Sequence, residues 1–502
     1  MPRTDRRLSA CEEPLKKGTT MSSAPARHTK IVCTLGPASR SPQVLRELLL
    51  AGMDVARLNF SHDTPEGHAA AIRTLRAQAK ALGREVAIFA DLQGPKIRTN
   101  CFPGGAIHLE RGARVSVVHS EKDGAPGLIT TRYFPLVRDA VAGDRLLLND
   151  GFIELRVVAR EGEGLTCEVV NGGELKDRRG INLPGVKLDV PAMTEKDLSD
   201  ARFALAHDVD FIALSFVRSA RDVEQLKAVI AEQPRRVQVI AKIEKPEALD
   251  ELDAILKVTD AVMVARGDLG VELGIEKVPA AQKQVIRQAL CHGVPVITAT
   301  QMLESMVVSA RPTRAEVSDV ANAVFDGTDA LMLSGETSAG AYPVETVRIM
   351  GEIIDAAERQ QVFFNFDDWH ILDSSSSALG MSLGKAARLF AEQTGAKAMS
   401  CLSDTGNAAI RLTAQRPQIP VYMFSRHTDS VRRMGLVRGA RGILLEEPLP
   451  PGRVFPGMES ILLERGCVQR GDVVVYTAGI SQNRNVSTNT IHIRTAGEDA
   501  AS

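Results

Sequence analysis

Val237-Gln238-Val239-Ile240-Ala241-Lys242-Ile243-Glu244 runs straight into Lys245-Pro246-Glu247-Ala248-Leu249. The apolar, β-branched first half reads as a buried strand, and Pro246 suits the first turn of a following helix. The same pattern recurs along the first two thirds of the chain. Strand-length apolar runs fall at 31–35, 54–59, 86–91, 210–216, 237–244, 261–266, 295–300 and 330–334. Helical stretches at 41–51, 65–82, 194–207, 246–257, 279–292 and 313–325 lie between most of them. Ser41-Pro42, Thr64-Pro65 and Thr194 with Glu195 and Asp197 are helix-start signals. Eight strands alternating with helices predict a (β/α)8 barrel, an α/β fold.

Two regions break the alternation. The Gly-rich segment 93–190 contains alternating runs at 113–118, 144–148, 152–158 and 165–170, the texture of a small all-β domain, expected as a β-barrel lid. Residues 359–502 read as a separate α/β domain, with helices at 381–394 and 407–415 and strands at 396–402, 421–424, 473–477 and 490–494. The barrel is then assigned to 28–92 and 191–358, behind a disordered tail over 1–27. Met21 is an alternative start.

Bulk properties exclude several classes. Of 502 residues, 61 are Lys or Arg and 62 Asp or Glu, so the net charge of -1 offers no field for nucleic acid or an anionic membrane. No apolar run is long enough to cross a bilayer, and Arg6-Arg7 is followed by no apolar export segment. Seven cysteines without a close CxxC pair read as free thiols of a reducing compartment, the cytoplasm.

Barrel enzymes carry their chemistry where strands end. Here those ends bring Arg57, Asn59, Ser61 and His62, then Asp91, Lys242 with Glu244, Gly267-Asp268, Thr300, and Ser334 with Glu336. Lys242 and Glu244 flank Ile243 and so project to one side of their strand. An isolated Lys-Ile-Glu is most simply a surface ion pair, but the apolar run before it argues for burial. A buried lysine beside carboxylates needs an anion or a metal to complete the site. Glu244 and Asp268 suit one Mg2+, whose remaining positions are filled by water and substrate oxygens. Arg57 offers a fork for phosphate or carboxylate, or else an ion pair within the barrel top. The amides of the Gly267-Asp268 turn can receive a carboxylate. His62 and His68 read as loop or helix-surface residues, and Met302, Met306 and Met332 as core filling. The sum is an anionic, phosphate-bearing substrate, a divalent cation and a cationic lysine, the parts phosphoryl transfer requires.

Longer motifs name a family. From Arg311 the chain reads RPTRAEVSDVANAVFDGTDALMLSGETSAGAYP, and IVCTLGPAS begins at Ile31, ARLNFSH at Ala56, AKIEKPEAL at Ala241 and MVARGDLGVE at Met263. Together they resemble the pyruvate kinase family over about residues 30–494, most closely in the barrel. The resemblance implies transfer of the phosphoryl group of phosphoenolpyruvate to ADP, giving pyruvate and ATP. Mg2+ is the implied metal, with Mn2+ as a substitute, and the implied assembly is a homotetramer. Arg57 would hold the phosphoryl group, Lys242 would stabilise it, and Glu244 and Asp268 would bind the metal. Gly267 and Asp268 would receive the substrate carboxylate. Thr300, with Ser334 and Glu336, would serve protonation of the enolate. Pro37, Asn59, His62, Arg98, Arg178 and Arg179 would lie near the nucleotide.

Two departures from the family pattern matter. The family's K+ site maps to Asn59, Ser61 and Asp91, but Leu92 replaces its Thr, and Lys96 replaces a nearby Glu. An ammonium can take the place of a monovalent cation, so K+ independence is expected. In the last domain, the effector-phosphate loop becomes Ser403-Asp404-Thr405-Gly406-Asn407-Ala408, where Asn407 and Ala408 replace Arg and Ser. Fructose 1,6-bisphosphate is therefore not expected as its ligand, and a different phosphorylated effector is. A barrel lyase acting on pyruvate enolate, and a catalytically silent regulatory protein, are the rival readings. The first needs neither Lys242 nor the arginine pair, and the second does not account for the retained charged set.

Overall fold

The computed structural model describes residues 27–162, 164–186, 190–233, 236–360, 376–450, 452–479 and 488–498. Of the tail expected over 1–27, residues 1–26 lie outside them, as do Ser374 and Ser375 of the polar connector, whereas Arg27 is described and pairs with Asp54 at 2.5 Å, so the tail does not extend to it.

Eight parallel strands close into a barrel: Lys30–Thr34, Val55–Asn59, Ala87–Asp91, Phe211–Leu214, Gln238–Ile243, Ala261–Ala265, Val296–Ala299 and Ala330–Leu333. Each is buried along nearly its whole length, which is why the sequence shows continuous apolar runs there and little alternation. The inward residues alternate large and small: Phe89, Phe211, Met263 and Met332 interleave with Ala87, Ala213, Ala261, Ala299 and Ala330. Met302 and Met306 are also fully buried, as core filling requires. Leu436, from the C-terminal domain, plugs the base of this interior.

The expected helix starts form. Ser41 Oγ accepts from Val44 N at 3.2 Å, and Thr64 Oγ1 from Gly67 N at 3.2 Å. Thr194 and Asp197 close a reciprocal capping box. Asp197 does more than cap, because its Oδ1 accepts Gly94 N at 2.9 Å and ties the first limb of the insertion to the barrel. Gly94 is required at that point. Its φ is 70°, and a Cβ would sit 2.8 Å from the Ser215 side chain.

In the insertion, residues 97–99 bridge the two edges of a sheet, Arg98 to Gly180 and Thr99 to Thr131. That sheet has six strands in the order Ile181–Asn182, Arg145–Leu148, Ile153–Glu161, Gly164–Asn171, Arg114–His119, Leu128–Thr131, with a separate ribbon pairing Gly173–Lys176 and Ala106–Leu109. One short helix, Phe134–Asp139, interrupts it, and it has its own apolar core. The C-terminal region forms a five-stranded sheet ordered Ala440–Leu444, Val421–Ser425, Ala398–Leu402, Val473–Ala478, Thr490–Thr495, antiparallel only at the last pair. Its strand Ala440–Leu444 and helix Val454–Glu464 carry no sequence signal strong enough to have been expected.

Candidate active site

Four strand ends build one buried charged web. The fifth strand delivers Lys242, and Glu244 follows just beyond it. Lys242 Nζ donates to Ser215 Oγ at 2.7 Å and lies 2.9 Å from Glu244 Oε1 and 3.2 Å from Asp91 Oδ1. The second strand adds Arg57, whose Nε donates to Asp91 Oδ2 at 2.7 Å and whose Nη1 donates to Thr34 Oγ1 at 3.1 Å. The fourth strand ends at Leu214, and the chain then turns through Phe216 at φ 55°, so that its amide donates to Glu244 Oε2 at 2.7 Å.

Burial and neighbours set the protonation of this web. Burial lowers the proton affinity of Lys242, but Asp91 and Glu244 raise it more, so the ammonium is held. Burial raises Asp91 while Lys242 and Arg57 pull it lower still, leaving it ionised. Glu244 goes the other way: burial, reinforced by Asp268, outweighs Lys242 and raises it. Glu244 Oε1 and Asp91 Oδ1 are buried acceptors whose one partner among the described residues is the Lys242 ammonium, at 2.9 and 3.2 Å. A buried carboxylate oxygen left open in this way fits a cation, and the hard oxygen donors of Glu244 and Asp268 fit a divalent one. Among the described residues no group of three or more His, Cys, Asp or Glu gathers into a metal site, so other positions would fall to water and substrate.

The segment after the sixth strand corrects the expectation of a short turn. Arg266–Leu273 is a helix, with Gly267 and Asp268 in its first turn. Gly267 N already has a partner, Thr300 Oγ1, at 2.9 Å. Thr300 stands at φ 70°, and Arg266, which the sequence reading passed over, fixes it there. Arg266 donates to Ala299 O at 3.1 Å and Thr300 O at 2.6 Å, and pairs with Asp319 at 2.7 Å. Glu336 is fully buried, with both oxygens taken by backbone: Leu303 N at 3.1 Å and Ser334 N at 2.7 Å.

The other expected residues lie outside this web. Asn59 Oδ1 accepts Ser61 N at 3.1 Å in a local turn. Pro37 lies in the loop after the first strand, and His62 is exposed. His68 is buried, not on the helix surface, stacked on Phe60 with ring centroids 4.3 Å apart. Arg98 Nη1 donates to Arg178 O at 3.1 Å, and Arg179 N donates to Thr99 Oγ1 at 3.1 Å; the Arg178 and Arg179 side chains are exposed and Arg98 is half-buried. A cleft of about 690 Å³ between the insertion and the barrel is lined by Lys96, Arg98, Arg178 and Lys196 among others. Lys196 also escaped the sequence reading; it anchors to Phe60 O at 2.8 Å. Lys96 Nζ lies 3.6 Å from Asp268 Oδ1 and 3.7 Å from Asp150 Oδ1. In the last domain, Ser403 Oγ accepts Gly406 N at 3.1 Å and Thr405 Oγ1 accepts Asn407 N at 3.5 Å. Asp404 there faces Arg426 at 3.8 Å and His427 at 3.9 Å.

Comparison with known proteins agrees with this architecture. The pyruvate kinase barrel domain matches residues 26–347, and the pyruvate kinase alpha/beta domain matches residues 382–494. A pyruvate kinase of Mycobacterium tuberculosis is 45% identical over 473 residues, covering 94% of this chain and 99% of the relative. One from Staphylococcus aureus is 41% identical over 480 residues, covering 95% and 81%. The crystal structure of a pyruvate kinase from Cryptosporidium parvum superposes with a TM-score of 0.87 at 33% identity, covering 94% of this chain and 96% of that one. No described helix is long and apolar enough to cross a membrane. With a charged web at the mouth of a closed barrel, and with family matches over residues 26–347 and 382–494, the chain belongs to the pyruvate kinase family.

Proposed function

We propose that the protein transfers the phosphoryl group of phosphoenolpyruvate to ADP. The observation that carries this reading is the buried contact of Lys242 with Glu244 and Asp91, two acceptor oxygens of which meet no partner but the ammonium among the described residues. In the reaction the bond from phosphorus to the enol oxygen breaks, a bond to the β-phosphate oxygen of ADP forms, and the enolate of pyruvate takes a proton at its methylene carbon. Glu244 and Asp268 would hold a divalent cation, Mg2+ or in its place Mn2+, which neutralises charge on substrate oxygens when bound. Arg57 and Lys242 supply fixed positive charge to the group in transit, in a site where burial makes such charges count. The amides of Gly267 and Asp268 orient the substrate carboxylate, which exchanges with the Thr300 hydroxyl at Gly267 N. Thr300 then faces the enolate, with Ser334 and Glu336 in a water relay. Because backbone amides already occupy both Glu336 oxygens, that residue would act by holding the Ser334 turn.

The nucleotide would lie along the cleft beside Pro37, Asn59, His62, Arg98, Arg178 and Arg179, under the insertion 93–190 acting as a lid over the barrel 28–92 and 191–358. Lys96 would replace the charge of a monovalent cation at the site read from Asn59, Ser61 and Asp91, making K+ unnecessary; its ion-pair partners among the described residues are Asp268 and Asp150, which supports a charge at the mouth but not a contact with those three. The domain over 359–502 would be regulatory. Asp404, set against Arg426 and His427, favours an effector other than the usual bisphosphate at Ser403, Thr405, Gly406 and Asn407. A cytoplasmic homotetramer is the assembly this family reading carries.

A coupled assay of pyruvate formation tests the proposal. Turnover should require phosphoenolpyruvate, ADP and a divalent cation together, and should change by less than about twofold between K+ and a bulky organic cation. Pyruvate release without ADP would refute the transfer, and a large activation by K+ would refute the role of Lys96.

A further inference from the structure

Pro37 and His62 are both exposed, yet the turns that carry them are fastened from beneath. Ahead of the helix Pro42–Ala51, the turn 36–39 is closed by Ser39 N on Gly36 O and by Gly36 N on Ser39 Oγ, each at 3.0 Å. Ala38 N donates to Ser338 O at 2.9 Å, and a Cβ on Gly36 would lie 2.5 Å from that oxygen, so this turn is pressed onto the barrel. After the second strand, His62 N donates to Asn59 O at 3.1 Å, and the buried His68 ring donates through Nε2 to His62 O at 3.0 Å.

An ion pair joins the two turns. Arg40 Nη2 meets Asp63 Oδ2, with the side chains 33% and 19% exposed. Asp63 reaches it at φ 72°, a left-handed conformation that residues other than glycine enter at a cost. Its carboxylate lies over Gly67, where a Cβ would meet Oδ2 at 2.5 Å, so the helix Pro65–Ala81 accommodates it only by lacking a side chain there. Burial alone would raise Asp63, but the Thr64 amide and Arg40 outweigh it and hold the carboxylate ionised. Strain of this kind persists where the surroundings fix it, and it gathers at ligand sites. We propose that Arg40 and Asp63 are positioning residues that lock the two turns together and hold Pro37 and the His62 ring at the spacing ADP requires. The pair acts through those two residues, so it sets affinity for the nucleotide and leaves the phosphoryl-transfer step alone. The proposal rests on the reading that places the nucleotide beside Pro37 and His62.

Steady-state kinetics and calorimetric binding of ADP with Mg2+ read this together. Asp63→Asn keeps the shape, and Asn tolerates the left-handed turn, so folding should be retained. Its KM and dissociation constant for ADP should rise about threefold to fivefold, the modest size that partial exposure allows, while kcat and the KM for phosphoenolpyruvate hold. Arg40→Gln should match it, the double variant should be no worse than either, and Arg40→Lys, which keeps the charge, should recover most of the loss. Asp63→Gly relieves the backbone while removing the pair, so Tm should hold or rise even as ADP weakens; a purely structural fastening would move Tm instead. Unchanged ADP binding in His62→Ala would defeat the placement of the nucleotide at these turns. Weakened ADP binding in His62→Ala would leave that placement standing. The proposal itself would then be overturned if Arg40→Gln and Asp63→Asn were silent, additive in the double variant, or equally damaging to phosphoenolpyruvate.

Discussion

At the base of the barrel, Asp329 is 2% exposed and its carboxylate is fully engaged: Arg416 donates to both oxygens at 3.0 and 2.8 Å, Val296 N at 3.0 Å and Arg438 N at 3.1 Å. At the mouth, Glu244 is 0% exposed and accepts from Phe216 N at 2.7 Å, while its Oε1 meets only the Lys242 ammonium among the described residues, at 2.9 Å. Both ends bury ions. The base satisfies its carboxylate with groups the chain itself supplies, in a bidentate arginine fork that clamps the C-terminal domain to the seventh and eighth strands. The mouth leaves acceptor capacity open beside a held ammonium, a state that costs stability unless something enters. The difference separates a fastening from a site, and it matches the general division of barrels into a stabilising and a reactive face.

The comparison can be broken most forcefully at the base. Asp329→Asn leaves Arg416 buried without its counter-charge, so unfolding free energy should fall by about 3–5 kcal/mol, read by denaturant titration. Turnover per folded molecule should stay within about threefold, since no base residue meets substrate. A large loss of kcat in fully folded protein would erase the distinction.

Acid gives a smaller effect of opposite sign at the two ends. His28, beside Arg438 and Glu358, is lowered to about 4 chiefly by burial. Between pH 6.5 and about 4 the unfolded chain therefore binds a proton that the folded chain refuses, and stability falls as pH falls. Glu358 is also lowered: burial would raise it, but Arg438 and His28 outweigh that, so its contribution is lost at still lower pH. Glu244 is raised, so in the folded state it protonates early, and acidification relieves its cost. His28→Gln should flatten the decline of Tm between pH 6.5 and 4; an unchanged slope would remove His28 from the account.

What the sequence made legible follows the range of the forces involved. Barrel strands and helix starts are local: apolar runs and the Ser41, Thr64 and Thr194 caps sit within a few residues of what they determine. Lys242 and Glu244 were readable because strand periodicity places them on one side, and the 2.9 Å contact follows. The helix Arg266–Leu273 was not, because Gly267, Asp268 and Gly270 are poor helix formers that packing overrides. Arg416 meets Asp329 across 87 positions with no local sign of either. The approach of Asp150 to within 3.7 Å of Lys96 depends on a left-handed turn that Asn-Asp-Gly permits but does not announce.

Glu244→Gln tests the contrast between the two ends most directly, because it keeps the shape and the acceptor for Phe216 N while removing the charge. Measured on one preparation, kcat should fall by about 10²–10³-fold while Tm holds or rises at neutral pH. A Tm that drops as it does in Asp329→Asn, with kcat nearly intact, would show the mouth to be another fastening and contradict the account.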